Sequence, residues 1–156
     1  MAKIGRNTYH NASEQIFDKI GYEVKNIGLC ELLVVKEGRR LFINIAGKNL
    51  PYYGSDGREG FAWETFIDAT RLDKIDDLAL KYDAEPWIGF CYAILDERFL
   101  KDFSFIISID GQNFGIKLMA TKEYKKNMKP RSAGSWDVVD LTRDLVTQIT
   151  CDPENV

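Results

Sequence analysis

Residues 87–94, WIGFCYAI, are apolar at almost every position. A strand that is apolar on both alternating faces must be covered on both sides, so this segment predicts the centre of a sheet sandwiched between other layers. Just upstream, Leu72, Ile75, Ala79 and Tyr82 fall on one face of a helix over Thr70 to Tyr82, with Asp73, Asp76, Asp77 and Lys81 elsewhere. Pro86 prevents that helix from continuing. A one-sided helix running into a two-sided strand is the rhythm of an α/β sheet.

The remaining elements follow from local signals. Asn11 to Glu14 fits a capping box, Ile16, Phe17 and Ile20 form one apolar stripe, and Gly21 ends the helix. A strand starts at Tyr22, Glu23 and Val24. The stretch ELLVVKEGRRLFINIAGK, Glu31 to Lys48, reads as a hairpin turning at Glu37 and Gly38. Residues 47–62 are rich in glycine and lose all period, which predicts a long loop. Phe103 to Ile109 alternates, Asp110 and Gly111 signal a turn, and Phe114, Ile116 and Leu118 alternate again, giving a second antiparallel hairpin at one end of the sheet. A short basic helix over Thr121 to Met128, a linker from Pro130 to Ser135, a short strand over Val138 to Leu141 and a helix capped by Thr142 complete the order.

Composition narrows the chemistry. With 156 residues, 45% of them hydrophobic, one domain buries an adequate core. A net charge of −3 gives no global attraction to nucleic acid or anionic membrane, so any such contact is local. No apolar run approaches the ~20 residues of a membrane span, and the opening MAKIGRNTYHNASEQ lacks the apolar stretch of a secretory leader. Cys30, Cys91 and Cys151 have no metal-binding spacing, and as small hydrophobes they suit a reducing cytoplasm. His10 is the lone histidine and lies in a polar stretch expected to be exposed, which disfavours histidine-based nucleophilic or zinc chemistry. Any catalysis would rest on carboxylates, lysines and a hard metal ion.

Helix, strand, hairpin, loop, helix, strand is the order of the PD-(D/E)xK nuclease core. Over residues 10–95 the chain resembles that superfamily, above all its archaeal Holliday-junction-resolvase-like and Mrr-like branches. The likeness is carried by IGYEV, by LLVVKEGRRLFINI and by RLDKIDDLALKYDAEPWIGFCYAI. It implies an α/β domain spanning 1–156, with a mixed central β-sheet flanked by helices. A restriction-endonuclease-like core is followed by the extra antiparallel hairpin and a C-terminal helix over about 96–150. In such proteins an Asp and a Glu on adjacent strands hold Mg²⁺, and a Lys two residues after the Glu positions the attacking water.

The resemblance places Glu31 at the Asp position, Asn44 at the Glu and Ala46 at the Lys. An amide oxygen brings no negative charge, and a methyl group supplies no cation. Lys48 shares the face of Asn44 if the strand runs through Gly47. Glu14 corresponds to a helix carboxylate displaced by a turn, and the capping box explains it without chemistry. The expected centre is therefore a degenerate one at Glu14, Glu31, Asn44 and Lys48. No resident cofactor is expected, and Mg²⁺ only if activity survives through carboxylates such as Glu59 or Glu64.

A second candidate lies later. Lys117, Lys122, Lys125, Lys126, Lys129 and Arg131 face only Glu123, with Tyr124 among them to stack on a base, and Arg39 and Arg40 to extend the patch. A solvated lysine-rich helix explains the same residues. Three functions stay open. The first is a catalytically degenerate nuclease-fold protein binding DNA, RNA or a protein partner; the second is a Mg²⁺-dependent nuclease with a rearranged centre; the third is a homo-oligomeric interaction module. A homodimer is implied by the resemblance, and Tyr52, Tyr53, Phe61 and Trp63 would cover the hairpin, meet a second subunit or anchor their loop.

Overall fold

A computed structural model describes residues 4–50, 52–53, 61–138 and 143–156. The first helix, α1, spans Arg6–Lys19 and ends on Gly21, whose φ of 101° needs a residue without a Cβ. Three strands follow, β1 (Glu23–Gly28), β2 (Glu31–Lys36) and β3 (Arg39–Leu50). Glu37 and Gly38 both adopt positive φ at the β2–β3 turn, as a tight hairpin with right-handed twist requires. Short strands β4 (Tyr52–Tyr53), β5 (Phe61–Ala62) and β6 (Ile67–Asp68) lead into α2 (Ala69–Lys81) and β7 (Glu85–Ile94). After a 3-10 helix over Glu97–Asp102 come β8 (Ile107–Ile109), β9 (Gln112–Ala120) and α3 (Thr121–Asn127). The chain closes with β10 (Met128–Ser132), β11 (Ser135–Val138), α4 (Arg143–Ile149) and a 3-10 turn at Pro153–Asn155.

Six strands form the main sheet in the order β1-β2-β3-β7-β9-β8. Only β3 and β7 run parallel, as the α2 crossover between them demands, and every other pair is antiparallel. On one face, Ala12, Ile16 and Phe17 of α1 pack against Leu32, Ile43, Ile45 and Leu118. On the other, Leu72, Ile75 and Ala79 of α2 pack against Phe42, Ala46, Ile88 and Phe90. Each fully buried Leu, Ile or Phe among them contributes roughly 1.5–3 kcal/mol of transfer free energy, and each alanine less. Both central strands are thus apolar on both faces. The fold is the mixed α/β sheet flanked by helices that the sequence predicts, with the β8–β9 hairpin at one end.

Several local expectations change. No capping box forms at Asn11, because α1 begins at Arg6 with Gly5 as an extended N-cap that supplies no side-chain hydrogen bond. His10 is buried, 5% exposed, since the earlier start places it inside the helix. Strand β3 runs through Gly47 to Leu50 in unbroken register with β7, so the predicted loop starts later. Residues 103–106 do not pair: Phe103 and Phe99 pack as aromatic anchors around Trp63. Pro130 to Ser135 belongs to the β10–β11 hairpin, whose second strand adds β6 to make a three-stranded sheet. Strand β11 ends at Val138, where a strand was expected to begin. Glu59, Thr142 and the glycine-rich residues 54–60 lie outside the described residues. Among the described residues, no helix is long and apolar enough to cross a membrane.

Candidate functional site

The β1–β2 turn is held from two sides, and that fixes where β2 begins. Cys30 adopts φ 62°, its N–H donates to Nδ1 of His10 (2.8 Å), and its carbonyl accepts the Ile45 N–H (2.8 Å). With Nδ1 accepting, the ring proton of His10 sits on Nε2, which lies 2.7 Å from Glu14 Oε1 without the alignment of a good hydrogen bond. Glu31 then opens β2 directly opposite Asn44 of β3. Residues paired across two strands point to the same face, so Glu31 and Asn44 lie side by side.

Strand periodicity places Asn44, Ala46 and Lys48 on that face as well, the face on which α2 packs. What sits against Asn44 is a cation from α2. Arg71, in the first turn of α2, donates through Nε to Asn44 Oδ1 and through Nη2 to the Ile45 carbonyl. Burial pulls its pKa below the usual value, and Arg6 pushes the same way against Asp68 and Glu31. Arginine nonetheless stays charged at any working pH. The polar end of the hairpin is therefore closed by an internal positive charge.

Lys48 is on the expected face but is only 8% exposed. Its amine turns beneath the segment leading to β6, donates to the Phe66 carbonyl (2.8 Å) and lies 3.9 Å from the Phe66 ring centroid. Burial brings its pKa down to about 8, with Glu64 opposing the fall. It does not line the open space beside Asn44 and is a buried structural lysine.

That open space is a cleft of about 550 Å³. Glu31, Asn44, Asp68 and Arg71 border it, with Arg6 and Lys74. Glu14 is not among its lining residues: its carboxylate meets His10 and accepts from Asn26 Nδ2 (3.2 Å) over β1. Tyr9 also lines the cleft, with its hydroxyl donating to the Lys48 carbonyl (3.2 Å) and Asn49 Oδ1 (2.9 Å).

This donor set does not fit a divalent metal. Among the described residues, no three Asp, Glu, His or Cys side chains converge as ligands. The Asn44 oxygen already accepts from a guanidinium, whose charge would repel Mg²⁺ at the same spot. Glu64 lies near Lys48 and is absent from the cleft lining.

The basic cluster does not assemble as one patch. Tyr124 is fully buried, with its hydroxyl donating to the Trp136 carbonyl (2.9 Å), so its ring has no face for a base. Lys117 lies under the 3-10 helix, where it pairs with Asp152 (2.8 Å) and also donates to the Asp102 carbonyl. Lys125 pairs with Asp76, and Arg131 lies 3.7 Å from Asp137 and 5.0 Å from the Phe66 centroid. Lys122, Lys126 and Lys129 are exposed. Arg39 forms a two-pronged bond to Glu85, and Arg40 binds the Tyr82 carbonyl at the C-terminal end of α2.

Sequence reasoning missed Arg6, Arg71 and Lys74. A signal was present, because a base in the first turn of a helix opposes the macrodipole, which favours acids there. Arg6 begins α1, and Arg71 lies in the first turn of α2, with no acidic residue in either first turn. Such a reversal is unfavourable for the helix alone and calls for another reason.

No family model matches the sequence, and no curated protein matches it. Among solved structures, the chain is similar to the Holliday junction resolvase Hjc of the archaeon Archaeoglobus fulgidus. The TM-score is 0.53 at 8% identity, over 96% of this chain and 93% of that one. Identity at this level speaks to architecture alone. The chain has the restriction-endonuclease-like fold of that junction resolvase, a mixed sheet between helices with the hairpin β2–β3 next to the parallel strand β7.

Proposed function

We propose that this protein binds nucleic acid in the cleft beside Asn44 without cutting it, as a nuclease fold whose metal centre has been replaced by a fixed arginine. One observation carries the reading: Arg71 bonds the amide that stands where a metal-binding carboxylate is expected. The substitution keeps part of the old electrostatics and removes the chemistry. A guanidinium neutralises a phosphate and donates in a planar fork, but it does not acidify a water, and it never acts as a base at neutral pH. Glu31 is left without a partner carboxylate on Asn44 and without a cation at Ala46. Likeness in fold to a Holliday junction resolvase supports nucleic acid as the class of partner.

Purified protein incubated with branched, single-stranded and duplex DNA in Mg²⁺ or Mn²⁺ is expected to leave every substrate intact. The same DNA is expected to be retained on a filter at low salt in the presence of EDTA. Cleavage that disappears in a Glu31→Ala variant would overturn the reading.

A further inference from the structure

The cleft beside Asn44 carries more than positive charge. Arg6, Arg71 and Lys74 border it from the beginnings of two helices, with Glu31 and Asp68 among them. Ile4, Leu29 and Leu78 add an apolar wall, and Leu29 is 53% exposed, unusually open for a leucine. Arg71 is held by its Nε and Nη2 bonds, so its plane is fixed before any ligand arrives. Among the described residues its Nη1 has no hydrogen-bond partner. A fork held in place with free donors loses little entropy on binding an oxyanion.

A chain with a net charge of −3 has thus gathered three cations, two acceptors and an apolar strip around one space. A bare anion would leave the strip and the carboxylates unused, and an apolar ligand would leave the cations unpaired. A molecule with a phosphate, hydroxyl or amino donors and a flat apolar body uses all three. The volume, about 550 Å³, is in the range of small-ligand pockets.

We propose that the cleft is a metal-independent site for a nucleoside phosphate. Arg71, Arg6 and Lys74 take the phosphate, Glu31 and Asp68 accept from the sugar or base, and Ile4, Leu29 and Leu78 cover the base. The proposal deepens the nucleic-acid reading and rests on it in one respect, that this cleft is where nucleic acid meets the protein. The same chemistry has two sources: a free nucleotide, or the terminal phosphorylated nucleotide of a strand.

The test is calorimetric titration of the full chain in EDTA with the common nucleoside 5′-monophosphates, the matching nucleosides and inorganic phosphate. Competition follows with an oligonucleotide carrying a 5′-phosphate and with the same strand ending in a hydroxyl. At least one monophosphate is expected to bind about tenfold or more tightly than its nucleoside, as expected for a charge-assisted contact. Lys74→Glu and Arg6→Glu, both at exposed positions, are each expected to weaken it about tenfold without lowering the melting temperature, which the acid at the start of α1 should if anything raise. Arg71→Gln is expected to abolish it. Competition about tenfold better by the phosphorylated strand than by the hydroxyl strand assigns a strand terminus, and no such preference assigns the free nucleotide. Either result supports the site. Absence of binding by every monophosphate, or binding unaffected in Lys74→Glu and Arg6→Glu, overturns the inference. Filter retention of uncut duplex would survive that failure, whereas Mg²⁺-dependent cleavage would sink the wider reading instead.

Discussion

Arg71 and Lys48 approach the same sheet face, and burial treats them differently. The guanidinium keeps its proton and spends two donors on the hairpin, whereas the amine is covered by Phe66 and becomes easier to neutralise. The consequence for stability has a definite sign. Lys48 titrates at about 8 in the folded chain against an ordinary 10.5. Between those values the unfolded chain holds a proton that the folded one has released, so the lysine's contribution to stability rises with pH. The other titrating groups are common to wild type and a Lys48→Met variant and cancel in their difference. The gap between the two in urea unfolding is expected to shift toward wild type by about 3 kcal/mol from below pH 8 to above pH 10.5. A gap constant across that series would contradict the burial of the amine. At this scale the sequence was legible where a side chain's direction follows from strand period alone. It placed Asn44 and Ala46 on one face, and left Lys48 dependent on whether the strand ran through Gly47, where a loop was expected to begin and the strand in fact continues. It did not reveal that Lys48 is roofed over, because the roof is made by Phe66, far along the chain.

Among the elements, β3 shows how a glycine that looks like a break serves the opposite purpose. Gly47 lies in a continuous strand, and a Cβ there would meet Tyr9 Cδ2 at 2.2 Å. The residue is small so that α1 can lie against the sheet with the Tyr9 ring in the space a Cβ would fill. Gly47→Ala is therefore expected to destabilise the protein by about 1–3 kcal/mol in urea unfolding, the usual range for overpacking. It should also disturb the Tyr9 hydroxyl bond to Asn49. A cost within a few tenths of a kcal/mol would mean that α1 sits further from β3. The same close approach explains the failed strand over 103–106. Phe103 lies over Gly115, where a Cβ would fall 2.4 Å from its ring, so its apolar character serves packing across β9 instead of alternation within a strand. The hairpin β2–β3, the helix α2 and the strand β7 were legible because their periods are long and their turn residues take positive φ.

On the scale of the whole molecule, two apolar layers fix the sheet and leave polar chemistry to one edge of the α2 face. Positive charge is dispersed in the region of α3, where Lys117 and Lys125 are paired internally, and collected in the cleft. Duplex retention at low salt is accordingly expected to fall about tenfold when Arg6 and Lys74 are both changed to Glu. A Lys125→Ala, Lys126→Ala double variant should change it by about twofold or less. The reverse order in a filter-binding series would return the interface to the basic helix.

The sequence by itself determined the order of α1, β1 to β3, α2 and β7, the doubly covered strand at the sheet's centre, and an amide and a methyl group side by side on one face at Asn44 and Ala46. All of these are written in local period and in residue type at a fixed register. Only the tertiary structure decided what meets that amide, because Arg71 reaches Asn44 from 27 residues away. That meeting depends on how Leu72, Ile75 and Ala79 seat α2 on the sheet, and packing across layers sets a helix's rotation and height in a way that no spacing within one segment records.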